Sequence, residues 1–233
     1  MKILKKIGNF LKWVVILFFG TSILAVILYK FLPVPFSPLM AIRLVEQVNE
    51  GQQMKCHHRW VPLDSISPDL PLAVWATEDQ NYLNHNGFDF EQIKAAYAEA
   101  QKGGRERGAS TISQQTAKNV FLWPAHSWVR KGIEAYFTIL IEVIWGKERI
   151  MEVYLNTIEM GDGIYGAEAV AQEHFGCPAY RLTRQQCALI AVSLPNPRRM
   201  NSAQPSRYML RRQTWALRQM RYLQRFPRKS DEQ

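Results

Sequence analysis

The sequence predicts a mainly α-helical domain preceded by one apolar helix, and three observations predict it. Apolar residues recur with a helical period through most of the chain beyond residue 33, as in Ile133, Phe137, Leu140, Ile141 and Ile144. No stretch alternates apolar and polar residues well enough to read as a strand. A run without a charged side chain, Trp13 to Tyr29, stands apart near the N-terminus between Lys12 and Lys30. With 233 residues, 47% of them hydrophobic, the rest of the chain can bury one sizeable core rather than two.

Residues 1–12 form a basic N-terminus carrying Lys2, Lys5, Lys6 and Lys12, and residues 13–32 are the expected transmembrane anchor. With Phe31 and Leu32 added and Lys30 snorkelling, the run reaches about 20 residues, which at ~1.5 Å each crosses a bilayer core. A secretory signal competes with this reading, but its apolar part spans about 7–15 residues and ends in a small-residue cleavage site. The segment YKFLPVPF offers no such site. The lysines place the N-terminus in the cytoplasm by the positive-inside rule, and the domain outside.

Residues 33–59 comprise a stalk with Pro33, Pro35 and Pro38, then a first amphipathic helix, AIRLVEQV. WVPLDSISPDLP is turn-rich, and Ser67 or Asp69 is expected to cap the helix carrying Glu78. Further helices are expected at Phe90 to Gln101, Thr111 to Phe121, Val129 to Trp145, Lys147 to Asn156, Gly166 to Phe175 and Thr183 to Leu194. A tail over 198–233 holds a basic helix from about Ser206 to Arg225. GGRERGAS (103–110) is expected to be a mobile loop and MGDGIYG (160–166) a tight connection.

The net charge of +9 is concentrated at the C-terminal end, where the segment from His174 onward carries +10. In the tail helix Arg207, Arg211, Arg218 and Arg225 line one stripe beside Met209, Leu210, Ala216, Leu217, Met220 and Leu223. That pattern suits an anionic membrane surface and, equally, an ordinary solvated arginine face. Nucleic acid is excluded as a partner by the anchor and the outward orientation. Cys56, Cys177 and Cys187 are odd in number and lack C-x-x-C spacing, against both a disulfide framework and a zinc ribbon. Cys56, His57 and His58 are consecutive, and chain neighbours rarely converge on one metal.

Glu78 is the residue most suggestive of chemistry. In LAVWATEDQNYL it falls four residues after Val74 and four before Tyr82, where a helix should be apolar. A carboxylate so placed must be paired, hydrated or neutralised. Two phosphate-binding patterns fail their context tests: GDGIYG follows a helix rather than a strand, and in GGRERGAST Ala109 stands where a P-loop needs lysine.

Four blocks remain, in fixed order: EDQNYLNHNGFD (78–89), GASTISQQTAKN (108–119), RKGIE (130–134) and ERIMEVYLNTIEMGDGIYGAEAVAQEHFG (148–176). Together they resemble the family 51 glycosyltransferases, the peptidoglycan glycosyltransferases that polymerise lipid II. The resemblance spans residues 60–197 and includes a fifth region, LTRQQCALIAVSLPNPRRMN. It implies a lysozyme-like fold and, since the chain stops soon after that region, the family's monofunctional form without a transpeptidase domain.

The family joins the 4-hydroxyl of one lipid II to the anomeric carbon of the growing strand, inverting configuration and expelling undecaprenyl pyrophosphate. That reaction needs a base for the hydroxyl and cations for the pyrophosphate. By the resemblance, Glu78 is the catalytic carboxylate and general base, and Glu134 the second glutamate, orienting a cation near the pyrophosphate. Ser110 and Gln114, spaced i and i+4, are expected to share a helical face toward the donor's sugar-phosphate part, with Lys118 one turn further. Arg130 and Lys131 supply phosphate contacts, and Asn156 is the residue of its block expected to reach substrate. Asp79 reads as a structural acid, His85 as fixing a turn, and Gly87 as supplying a positive φ.

One departure from the family pattern matters: His126 stands where arginine is usual four residues before the Arg130–Lys131 pair. Histidine is mostly neutral at pH 7 unless phosphates raise its pKa. The resemblance also leaves open a divalent cation, Mg²⁺ or Mn²⁺, beside the pyrophosphate, with no ligand cluster in the sequence to specify it. The implied partners are lipid II, the growing glycan strand, the bacterial inner membrane and other cell-wall synthesis proteins. The implied placement is single-pass, with a periplasmic catalytic domain. Two alternatives stand beside it, a lytic enzyme using Glu78 as an acid and a non-catalytic wall-building scaffold.

Overall fold

The charge-free run lies within one continuous helix, α1 (Lys2–Phe31), in the computed structural model, which describes residues 2–103, 108–125 and 127–228. Its stretch Lys5–Phe31 has a mean hydropathy of 2.3 over its most apolar 18 residues, long and apolar enough to cross a bilayer. The helix starts before the apolar run, so Lys5, Lys6 and Lys12 lie on it too. It belongs to a unit, Met1–Pro33, separate from the domain Val34–Gln233.

The domain opens with α2 (Pro38–Asn49), whose start is set by Ser37 accepting from the Met40 N–H and by Pro38 in the first turn. Then come α3 (Asp69–Glu78), α4 (Phe90–Gln101), α5 (Ile112–Phe121) and α6 (Trp128–Ile144). They are followed by α7 (Lys147–Thr157), α8 (Ala167–Phe175), α9 (Arg184–Ser193) and α10 (Arg207–Gln219). Helix α5 packs between α6 and α7, and α9 between α3 and α10. Those two sandwiches form the core.

Several local expectations are corrected. Three short strands are present among the described residues: β1 (His57–His58), β2 (Glu159–Gly161) and β3 (Ile164–Tyr165), in the order β1-β3-β2. Strands β2 and β3 are antiparallel and β1 runs parallel to β3, so the tight connection at 160–166 is a small hairpin. Two or three residues are too few to show alternation, which hides such strands from periodicity. Gly166 closes this region at φ 84°, where a Cβ would lie 2.6 Å from the Asn156 carbonyl oxygen.

Neither Ser67 nor Asp69 caps α3, whose N-cap is Pro68 with no side-chain hydrogen bond. Nor does α3 present an apolar stripe, since Leu70 to Ala76 are all buried. Glu78 is its last residue, and Tyr82 is buried through the following turns, not by helical spacing. In α10, Met209, Ala216 and Met220 are buried within the domain while Arg207, Arg211 and Arg218 stay exposed. Much of the apolar side assigned to a membrane surface is thus used in packing. Residues 104–107 of the expected mobile loop lie outside the described residues.

Candidate active site

The turn after Glu78 is held to the start of α5 by a buried polar cluster. Asp79 accepts from Nε2 of His85 and from the backbone N–H of Ile112, each at 3.0 Å. Nδ1 of His85 accepts from the N–H of Gly87 at 3.1 Å, and Thr111 Oγ1 donates to the Gly87 carbonyl at 2.7 Å. Gly87 has φ 90°, and a Cβ there would lie 2.8 Å from Thr138 Cγ2. Asp79, His85 and Gly87 are therefore architectural, as expected from the sequence. Their effect is to bring the end of α3 against the first turns of α5.

The residue of α5 that meets Glu78 is Gln115, not Gln114. Gln115 Nε2 donates to Glu78 Oε2 at 3.1 Å. Gln114 is buried in a capping box, its Oε1 accepting from the Thr111 N–H while Thr111 Oγ1 accepts from the Gln114 N–H. Ser110 precedes the cap and is exposed, so the expected shared face with Gln114 does not exist. The sequence did hold the signal: Thr111-Ile112-Ser113-Gln114 fits the capping-box pattern, which consumes Gln114 and leaves Gln115 to face inward.

The half-buried carboxyl of Glu78 has its pKa raised above the ordinary value. Loss of solvent is the main cause, opposed by the hydrogen bond from Gln115, reinforced by Asp79, and opposed again by Arg212 and Lys118. Arg212, on α10 and 4.0 Å from the Trp215 ring centroid, thus enters the surroundings of Glu78 from a helix not expected to contribute.

Lys118, one turn beyond Gln114, feels Glu134, Arg130, Lys131 and Glu78 together. Desolvation in the cleft and repulsion from Arg130 and Lys131 hold its ammonium below the ordinary lysine range, against attraction by the two glutamates. Glu134 is buried and accepts from Arg130 Nη1 at 2.6 Å and from Lys131 Nζ. Both cations lie within one turn of it on α6, which makes Glu134 the holder of that pair.

Lys118, Gln115 and Arg130 line a cleft of about 410 Å³ whose far walls are Leu39 and Arg43 of α2 and Pro195 and Pro197 after α9. Nε of Arg43 and Nε of Arg130 are buried donors without hydrogen-bond partners. Arg43 Nε lies 3.6 Å from the Glu159 carboxylate.

Asn156 does not reach this cleft. It is fully buried, its amide accepting from the Val61 N–H and donating to the Val61 and Glu152 carbonyls. His126 lies outside the described residues. His57 pairs with Glu173 at 2.5 Å while His58 donates to the Asn156 carbonyl, so the Cys56–His58 triplet diverges. Among the described residues no three His, Cys, Asp or Glu side chains gather into a metal-binding group.

Comparison with known proteins bears on the family of the chain. The family model described as Transglycosylase matches residues 44–221. Three relatives called biosynthetic peptidoglycan transglycosylase are similar over most of their length. That of Bacteroides thetaiotaomicron is 58% identical over 96% of this chain and 90% of the relative. That of Bdellovibrio bacteriovorus is 53% identical over 87% and 82%, and that of Pseudomonas fluorescens 48% over 94% and 90%.

Proposed function

The chain belongs to the transglycosylase family and is a peptidoglycan glycosyltransferase of cell-wall biosynthesis; we propose that it polymerises lipid II with Glu78 as general base. The observation that carries this reading is one carboxylate, held at 3.1 Å by Gln115 of α5, within electrostatic range of Lys118, which is itself in range of the Arg130–Lys131–Glu134 cluster. Glu78 takes the proton of the acceptor 4-hydroxyl as that oxygen attacks the anomeric carbon of the donor. The cations neutralise the departing undecaprenyl pyrophosphate, whose low basicity makes acid assistance unnecessary. A base with a raised pKa is better matched to a hydroxyl at neutral pH than an ordinary carboxylate.

The raised pKa of Glu78 also suits a general acid, as in a lytic enzyme. The cation cluster favours transfer instead, because cleavage of a neutral glycan linkage releases no pyrophosphate. The N-terminal apolar helix is compatible with a single-pass anchor. We place it in the inner membrane, N-terminus cytoplasmic and catalytic domain periplasmic, where substrate and product both keep polyprenyl tails in the bilayer.

Incubation of the full chain with labelled lipid II tests the proposal. Polymer and undecaprenyl pyrophosphate are expected, with Glu78→Gln reducing the rate roughly 10²–10⁴-fold. Failure to polymerise lipid II, or shortening of preformed glycan instead, would overturn it.

A further inference from the structure

We propose that Tyr154 of α7 is a positioning residue for the Glu78 carboxylate, acting through the side-chain amide of Gln115. The inference rests on Glu78 being the base. Tyr154 is fully buried, and its hydroxyl donates to Gln115 Oε1 at 3.1 Å. The other end of the same amide donates to Glu78 Oε2 at 3.1 Å. The three side chains come from three helices, α7, α5 and α3, and form one chain of hydrogen bonds ending on the reacting group.

The direction of this chain follows from the donor inventory. An ionised carboxylate only accepts, so the NH₂ end of Gln115 must face Glu78, leaving the carbonyl end to be satisfied elsewhere. Tyr154 supplies the donor. Its phenol does not ionise near neutral pH, since burial pushes its pKa well above the ordinary value, helped by Glu78 and Asp79. Without that hydroxyl the Gln115 carbonyl loses its partner and the amide loses its reason to keep one orientation. The flipped amide sets an oxygen against Glu78, which only the protonated carboxyl tolerates. Tyr154 therefore selects the amide orientation that favours the anion.

The other charged groups around Glu78 are Asp79 on the adjoining turn, Lys118 on α5 and Arg212 on α10. None of them bonds to Tyr154, so removing the phenol oxygen changes the amide and leaves those charges as they are.

The test is the pH dependence of kcat/KM with lipid II for the full chain, Tyr154→Phe, Gln115→Ala, the double variant and Glu78→Gln, with thermal unfolding as control. Tyr154→Phe should lower kcat about 3- to 10-fold at neutral pH, move the acidic limb upward so that rate recovers at higher pH, and leave the lipid II KM unchanged. In the Gln115→Ala background it should have no further effect. A pH-independent loss, or an effect that adds fully to that of Gln115→Ala, would overturn the proposal. Site-specific 3-fluorotyrosine at position 154 preserves shape and strengthens the donor, so it should move the limb downward even if Tyr154→Phe fails to fold; an unmoved limb counts against the proposal. An active Glu78→Gln overturns both the base assignment and this inference. An inactive Glu78→Gln with an unmoved Tyr154→Phe profile overturns this inference alone.

Discussion

Gln115 ties the middle of α5 to the last residue of α3 through a 3.1 Å hydrogen bond from its amide to the carboxylate of Glu78. The neighbouring glutamine, one residue earlier, spends its side chain on the helix cap. Two adjacent residues of the same type thus have different work, and their variants should separate.

Gln115→Ala should lower kcat by about 5- to 30-fold, the loss of a hydrogen bond to a charged group, and cost about 1–3 kcal/mol of stability through the orphaned Tyr154 hydroxyl. Gln114→Ala should cost about 0.5–2 kcal/mol of stability through the lost cap, with near-normal turnover per folded molecule. Steady-state kinetics beside chemical denaturation measures both, and equal kinetic losses would contradict the assignment.

The pH–rate profile should be a bell with both limbs displaced inward. Glu78 must be ionised to accept a proton, so activity rises with pH through a pKa above the usual ~4.3. Lys118 must be protonated to meet phosphate, so activity falls as pH rises through a pKa below the usual ~10.4. Lys118→Arg should extend activity on the alkaline side; a profile with that limb unchanged would remove Lys118 from the assignment.

Phe226 is nearly fully buried, stacked on Tyr82 and set edge-on to Trp75, the side chains that flank the Glu78 segment. Phe226→Ala should cost about 3–5 kcal/mol, seen as a large drop in denaturation midpoint. Tyr222→Ala, four residues earlier and 83% exposed, should stay within about 0.5 kcal/mol. Similar losses for the two would mean that the segment after α10 is not anchored through Phe226.

His126 leads to a separate expectation from residue type alone. If a protonated imidazole contributes to donor binding, affinity for lipid II declines as pH rises through about 6.5. His126→Arg should then flatten the apparent KM between roughly pH 6 and 8, and an unchanged KM profile would remove His126 from the phosphate site.

Much of this was legible along the chain. The apolar run, the helix periods, and the order of blocks carrying Glu78, Lys118, Arg130, Lys131 and Glu134 are properties of residue type and spacing. The end of α1 and the limits of α4 follow from them nearly to the residue. Spacing by itself also suffices to put Glu134 within a turn of both its cations.

Relations between elements distant in sequence were decided by tertiary structure. Asn156 read as a substrate ligand until packing set its amide against Val61, and Ser110 as a helical residue until Thr111 proved to be the cap. The ties of Tyr154 to Gln115, of Arg212 to Glu78, and of Arg43 to the cleft join helices far apart along the chain. Periodicity tells which face of a helix is buried. What that face meets depends on how the helices pack, and here the packing supplies the hydrogen bonds and charges that make Glu78 a candidate base.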